Sequence, residues 1–509
     1  LLDAIGDRRL ASASPIDMTL SRSTLPIVAH ATADIGASDR QRVERLASRL
    51  LAAEPALATV GAFGRDVRAG MRDGPALLFE DHTDIALFSG RGDATLQYRS
   101  LLLAGEGDVV LIGGERSPAF EAYCRDTLAL GAPTIVGITP ATGDRPGGLA
   151  LRCTHNDAAM AAIARAAHRQ GRLTLIPYIG TGSAWVLAGK LAELSGADIF
   201  VAAPPPRLTR RVNDKLWFAS CVAELLGGDA LPPSYHAFGP AALTGRVAAL
   251  ARRWERVVIK VPDSAGSAGN LVLHSADIRD LPLRSLRLRL LRLLRNLGWR
   301  SGFPLMVGVW ETAVLGSPSV QTWIPLPEQG LPIVEGVFDQ NVEGSAGEFV
   351  GAVACRAPAR WLERLTNEAM LIACLFQRLG YFGRCSFDSV ITGEDYDRAA
   401  VRWIECNGRW GGTSIPMTLA NRLIGDWATR PLMIVQRTGL SNPPGTIATA
   451  LARLGTLMFR GKETDAGVVL LTPGGLEEGS GLHFMLLGRS NTDVDEQAQT
   501  VGQLLQAAE

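Results

Sequence analysis

The chain has 509 residues with 51 basic and 51 acidic side chains, and its formal net charge is zero. That length predicts about three or four domains. The balanced charge excludes the basic excess of a generic nucleic-acid binder, and 47% hydrophobic with 20% charged residues excludes the composition of a disordered chain.

No apolar run approaches the roughly 20 residues that cross a bilayer. The opening LLDAIGDRRLASAS carries acids and arginines in place of an apolar core, so no secretory leader is expected there. Residues 1–106 hold a strand near Ala76–Glu80 but no chemical motif, and form an N-terminal region of unassigned role. From Asp108 the pattern alternates. DVVLIGG reads as a buried strand, and SPAFEAYCRDTLAL as a helix opened by Ser117 and Pro118. PTIVGIT is the next strand, DAAMAAIARAAHRQG a helix ended by Gly171, and RLTLIPYI a third strand. Strands alternating with helices predict a parallel, doubly wound sheet. Pro204–Pro206 marks a joint, followed by the helix VNDKLWFASCVAELLGG and a strand–loop–strand over 256–274. A helix near 281–298 places Arg284, Arg287, Arg292 and Arg295 on one face and Leu283, Leu286, Leu290, Leu293 and Leu297 on the other. An ordinary solvated face accounts for those arginines. A largely β region runs from Pro304 to Asn407, then helices and a last αβ piece with strands GVVLLTP and LHFMLLG.

Several familiar chemistries are missing. There is no GxxxxGK[ST] phosphate loop and no GxSxG elbow, and DVVLIGGERSP lacks GxGxxG. The seven cysteines are odd in number and never spaced as CxxC, which reads as buried reduced thiols in a cytoplasmic protein.

The informative segment is GRCSFDSVITGEDYDRAAVRWIECNGRWGG, residues 383–412. It predicts a hairpin turning between Tyr396 and Asp397, so that Asp388 faces Glu405, Ser386 faces Asn407 and Arg384 faces Arg409, all on one side of the sheet. Cys385, Phe387, Ile404 and Cys406 then form the opposite, core side. Carboxylates directly opposed in a ladder stand ~5 Å apart and repel. A cation between them relieves that repulsion, and Asp388, Glu405 and Asn407 supply the oxygen ligands that suit Mg²⁺. Crosswise salt bridges on a solvated hairpin are the plainer alternative. Upstream, Lys260 ends the strand RVVIK, and the loop after it offers Ser264, Gly266, Ser267 and Gly269, whose small side chains let backbone N–H groups approach a phosphate. Lys215 opens the helix before it.

These pieces, in this order, resemble the ATP-grasp superfamily of carboxylate–amine ligases. VNDKLWFASCVAELLGGDALPP and VVIKVPDSAGSAGN look like its two lysine segments, and ECNGRWGG like its Glu-x-Asn metal motif. NGRWGGTSIP and the GVVLLTP…LHFMLLG tail look most like the pheganomycin-type peptide ligases. The resemblance covers about residues 107–420 well and the tail loosely. It implies an α/β and α+β multidomain fold: a pre-ATP-grasp doubly wound domain over 107–206, an ATP-grasp small lobe over 207–303, a large lobe with the metal site over 304–430, and a small αβ C-terminal piece over 431–509. It also implies that Lys215 and Lys260 meet the α- and β-phosphates of ATP. Asp388, Glu405 and Asn407 would hold two Mg²⁺, and Glu311 or the backbone near Val307–Trp310 would meet adenine. The sequence departs from many relatives at SPSV, where Ser317 or Ser319 replaces a ribose-binding Glu.

The activity so implied is attack of a carboxylate on the γ-phosphate, giving an acyl phosphate and ADP, followed by amide formation with an amine. Arg384 and Arg409 would stabilise the transferring phosphoryl group, with the backbone of Gly411–Gly412 assisting. A phosphotransferase acting on a hydroxyl and a non-catalytic MgATP-binding module are the alternatives. Expected partners are a small carboxylate and an amine (amino acid or peptide), with a carrier-protein thiol and a homodimer left open, and neither nucleic acid nor membrane. His236 and His274 lie near the lobe only in sequence, and a structural role suits them better than that of a base.

Overall fold

The computed structural model describes residues 25–32, 35–87, 96–138, 147–264, 267–300, 302–437, 444–473 and 481–504. The opening residues and Gly266 of the expected phosphate loop lie outside them. After a two-residue strand, β1 (Ala31–Thr32), comes a six-stranded sheet of β2 (Val67–Ala69), β3 (Ala76–Phe79), β4 (Val109–Ile112), β5 (Thr134–Gly137), β6 (Arg172–Pro177) and β7 (Asp198–Val201). Its order is β2-β7-β6-β3-β4-β5, parallel throughout. Strands such as ALLF and VVLI are buried at every position because helices cover both faces. The helix Asp157–Gln170 starts where the Asn156 side chain accepts from the Ala159 amide and stops at Gly171, which takes the left-handed φ of 66°. The element expected over 117–130 is a helix over Pro118–Ala122 that loosens into a π-turn over Tyr123–Thr127, and Ser117 makes no capping bond. Two strands of this sheet, β2 and β3, precede residue 107, so the doubly wound unit begins inside the region read as unassigned.

The second sheet is antiparallel, in the order β10-β9-β11-β8, from β8 (Ser234–Ala237), β9 (Arg256–Lys260), β10 (Asn270–His274) and β11 (Leu305–Val309). Two helices, Pro240–Ala251 and Leu283–Asn296, cover it by packing Leu243, Val247, Leu286, Leu290 and Leu294 on Val257, Ile259 and Val307. Arg284, Arg287, Arg292 and Arg295 of the second helix are exposed, as expected of a solvated face. Leu283, expected in its apolar stripe, is also exposed.

The third sheet has ten strands. Its path is β12-β16-β13-β14-β15-β18-β20-β19, with β17 pairing β16 and β1 pairing β14. These are β12 (Val314–Gly316), β13 (Pro318–Ile324), β14 (Ile333–Glu343), β15 (Glu348–Ala354), β16 (Gly383–Thr392), β17 (Ala400–Asn407), β18 (Leu432–Arg437), β19 (Gly467–Leu470) and β20 (Leu482–Leu487). The C-terminal strands therefore extend the large lobe's own sheet beyond the expected boundary at 430. Gly351 makes the join possible: a Cβ there would collide with the Ile434 carbonyl of β18. The region read as largely β also contains a 20-residue helix, Ala359–Arg378, which buries Trp361, Leu365, Ala369, Ile372 and Phe376 against the back of the sheet.

Candidate active site

The hairpin β16–β17 pairs Asp388 with Glu405 and Ser386 with Asn407, the expected register. A bulge between Asp388 and Ser389 then shifts the ladder so that Trp403, not Ile404, faces Ser389. The bulge turns Ile404 out of its expected core position and into the wall of a cavity of about 730 Å³ that lies against this face. Cys385, Phe387 and Cys406 stay in the core behind it.

Asp388 accepts hydrogen bonds from Ser319 Oγ at 2.6 Å and Asn407 Nδ2 at 2.8 Å. Burial raises its carboxyl to about 6, and the Glu405 charge adds to that, while the bonds from Ser319, Gln340 and Asn407 oppose it. Among the described residues no cation forms an ion pair with Asp388. Glu405 differs. Burial pushes its carboxyl up, but Lys215 and Lys260 outweigh this and hold it below its ordinary value. Lys215 Nζ stands 2.7 Å from Glu405 Oε2 and donates to the Ser264 carbonyl at 2.6 Å. Lys215 is aimed there by its helix, Lys215–Leu226, whose Asp214 cap accepts from the Leu216 and Trp217 amides. The Lys215 amide also donates to the Pro262 carbonyl at 3.1 Å. Lys260, at the end of β9, is buried beside these groups. Burial lowers its ammonium to about 8, Lys215 adds to this, and Glu405 and Asp388 resist it.

The loop after Lys260 folds on itself. Ser264 Oγ donates to the Val261 carbonyl at 2.8 Å, and Asn270 N donates to the Ser267 carbonyl at 2.8 Å. Ser264 is thereby used within the loop, while Ser267 lines the cavity at a left-handed φ of 63°. A Cβ on Gly269 would collide with the Ser264 side chain, so glycine is required at that position. Glu311, the residue expected near adenine, lines the cavity; burial raises its carboxyl and Arg402 partly offsets this. Of the two serines at SPSV, Ser319 is committed to Asp388 and Ser317 lines the cavity.

The two arginines separate. Arg409 lines the cavity and donates to Asn407 Oδ1 at 2.5 Å and to Asn213 Oδ1. Arg384, expected beside it, lies outside the cavity. It is buried in an ion pair with Glu335, donates to Thr418 Oγ1 at 3.1 Å, and is flanked by the Trp410 and Trp323 rings at 4.8 and 5.4 Å. A guanidinium enclosed in this way cannot meet a phosphate, so its expected catalytic role is withdrawn. The Gly411 amide is also taken, donating to Ser414 Oγ at 2.9 Å. His236 and His274 are exposed and do not line the cavity. Sequence reading missed Gln340, Arg99, Tyr178, Gln436 and His483 on its walls. Gln340 reaches Asp388 from β14, and no local motif marks any of the five.

The fit to a divalent cation can be judged from these groups. Among the described residues no three His, Cys, Asp or Glu side chains form a group that could hold a metal ion by themselves. The corner offers two opposed carboxylates and an amide, one carboxylate without a cation, which matches an ion that takes few protein oxygens and leaves other positions to phosphate and water.

Comparison with known proteins agrees on architecture. Residues 97–193 match the Pre ATP-grasp domain. No curated protein matches the sequence. Among solved structures the chain is similar to an N5-carboxyaminoimidazole ribonucleotide synthetase in complex with ADP, at 12% identity and TM-score 0.51, covering 84% of this chain and 96% of that one. It is also similar to the Thermus thermophilus synthetase of the same name (15% identity, TM-score 0.49, 85% and 99% covered). The biotin carboxylase domain of the Hydrogenobacter thermophilus 2-oxoglutarate carboxylase, a MgADP complex, stands at 11% identity, TM-score 0.49, with 84% and 90% covered. The chain thus carries a pre-ATP-grasp domain followed by an ATP-grasp-like fold. At these identities the likeness speaks for the fold alone.

Proposed function

We propose that the protein is an ATP-dependent ligase that joins a carboxylate to an amine, of the pheganomycin-type peptide-ligase kind. One observation carries this: a half-buried pair of facing carboxylates, Asp388 and Glu405, stands with two buried lysines, Lys215 and Lys260, at one cavity. That cluster is repulsive within each sign, and a metal-bound polyphosphate satisfies both signs together.

In this reading Lys215 and Lys260 neutralise the α- and β-phosphates. Asp388, Glu405 and Asn407 hold Mg²⁺. When bound, the ion neutralises charge on the phosphate oxygens. A substrate carboxylate oxygen attacks the γ-phosphorus, the bond to the bridging oxygen breaks, and ADP leaves. Arg409, held by Asn213 and Asn407, stabilises the transferring phosphoryl group. The amine nitrogen then attacks the acyl carbon, phosphate departs, and the amine proton is lost to solvent or phosphate. The protein positions the groups and excludes water, which would otherwise hydrolyse the acyl phosphate.

The test is ADP release with MgATP and amino acids or short peptides, singly and in pairs, with hydroxylamine as a trap. A hydroxamate is expected. ADP formation without hydroxamate in the presence of an alcohol would make the enzyme a phosphotransferase, and nucleotide binding without turnover on any acid would leave a binding module.

A further inference from the structure

The parallel sheet has a reversal. From β3 the chain moves outward through β4 and β5, then returns to place β6 and β7 on the other side of β3. Ligands of open α/β sheets sit beyond the carboxyl ends of strands at such a point. The residues immediately following β3 and β6 are Glu80 and Tyr178, and both belong to a buried polar group that the proposed chemistry leaves unused. Glu80 is fully buried and accepts from Arg99 Nε at 3.1 Å and from Arg99 Nη2. Its other neighbour is His82, with Nε2 at 2.7 Å from Oε1. The Arg99 guanidinium lies 5.6 Å from the centre of the Tyr178 ring. Arg99 is 7% exposed, yet it and Tyr178 line the same cavity as Asp388. Gln436 and His483, paired across β18 and β20, line the same cavity, with His483 near Arg99 and Glu80. Tyr178 also connects the two ends, since its carbonyl accepts from the amide of Trp410, next to Arg409, at 2.9 Å.

We infer that this end of the cavity seats the free carboxylate of an amino-acid or peptide substrate, with Arg99 and Tyr178 as donors to it and His483 and Gln436 beside its amine. A guanidinium has five N–H donors and Glu80 engages two of its nitrogens, which orients the group without exhausting it. Glu80 also cancels one positive charge, so the seat suits a singly charged carboxylate better than a phosphate dianion. Burial and the nearby Arg99 push the His483 imidazole down to about 3, so it is neutral and can accept a hydrogen bond from an amine. Ile85 and Leu96 supply apolar wall for a side chain.

This rests on the ligase reading, and the experiment separates the two. The protein is saturated with Mg²⁺ and a non-hydrolysable ATP analogue. The twenty amino acids and their glycyl dipeptides are then titrated, each as the free acid, the C-terminal amide and the aminophosphonate. At least one free acid is expected to bind about tenfold or more tightly than its amide and its phosphonate. Arg99→Gln and Tyr178→Phe should each abolish that gap while leaving analogue affinity within twofold. Tyr178→Phe decides the matter if removing Arg99 from Glu80 prevents folding. Equal binding of acid and amide, tighter binding of the phosphonate, a gap that survives in Tyr178→Phe, or no binding by any probe to protein that holds the nucleotide would each overturn the inference. Failure to bind the nucleotide analogue at all would instead overturn the ligase reading.

Discussion

Asp388 and Glu405 share one corner but are held differently. Glu405 is stabilised as an anion by two lysines, whereas Asp388 has neutral partners and a carboxyl raised to about 6. A carboxyl whose pKa is higher in the folded state binds its proton more tightly there, so it favours folding at low pH and opposes it as pH rises through 6. Without metal, Asp388→Asn should therefore raise stability at pH 7.5 by about 3 kcal/mol, since the rise to about 6 is some two tenfold changes in proton affinity at about 1.4 kcal/mol each. The same substitution, and Glu405→Gln, should abolish ADP formation, and near-wild-type turnover in either would remove the metal assignment. Lys260, lowered to about 8, loses its charge in free protein as pH rises past that value. Nucleotide affinity should consequently fall above pH 8, with proton uptake on binding visible by calorimetry in two buffers. Lys260→Arg should remove the uptake. Lys260→Ala should weaken binding by about 1–3 kcal/mol. The facing of Asp388 and Glu405 was legible because a period of two and one turn position determine a hairpin's register. The fate of Arg384 was not, because its partner Glu335 lies on a separate strand, where β14 bulges against β13. Arg384→Ala strands a buried carboxylate and should cost about 3–5 kcal/mol of stability. Arg409→Ala should reduce turnover with little change in melting temperature, and thermal unfolding of the pair distinguishes the two roles.

Among elements, the strands with strong apolar runs and the capped helices were readable from local pattern. The helix Ala359–Arg378 was missed although Leu365, Ala369, Ile372 and Phe376 recur at helical spacing. Its flanks are strands, and β-rich surroundings obscured a period that the segment itself carries. The Ile404 bulge left no mark at all, since one extra residue in a ladder changes facing without changing composition. The helix Lys215–Leu226 shows how an element serves a site: the Asp214 cap sets the start that aims Lys215 at Glu405. Asp214→Ala should cost about 1 kcal/mol and weaken nucleotide binding, because the cap and the lysine are adjacent. Isothermal titration with an ATP analogue would show it, and unchanged affinity would separate the helix start from the phosphate site.

At the scale of the whole molecule, the cavity draws its walls from all three sheets, with Tyr178 from the parallel one, Lys260 from the four-stranded one, and Asp388 and His483 from opposite parts of the ten-stranded one. The alternation of strands and helices made the first sheet legible. Its start before residue 107 and the union of β15 with β18 were not, since both depend on long-range pairing. The close approach at Gly351 has a consequence for synthesis. A nascent chain that has emerged as far as Asn407 already owns both carboxylates, but its β15 still presents an unpaired edge that can recruit a strand from a neighbouring copy. Only when β18 and then β20 leave the ribosome is that edge shielded, and β20 brings His483 with it. Protection of that edge and the His483 wall of the cavity therefore arrive together, after the carboxylates are already in place.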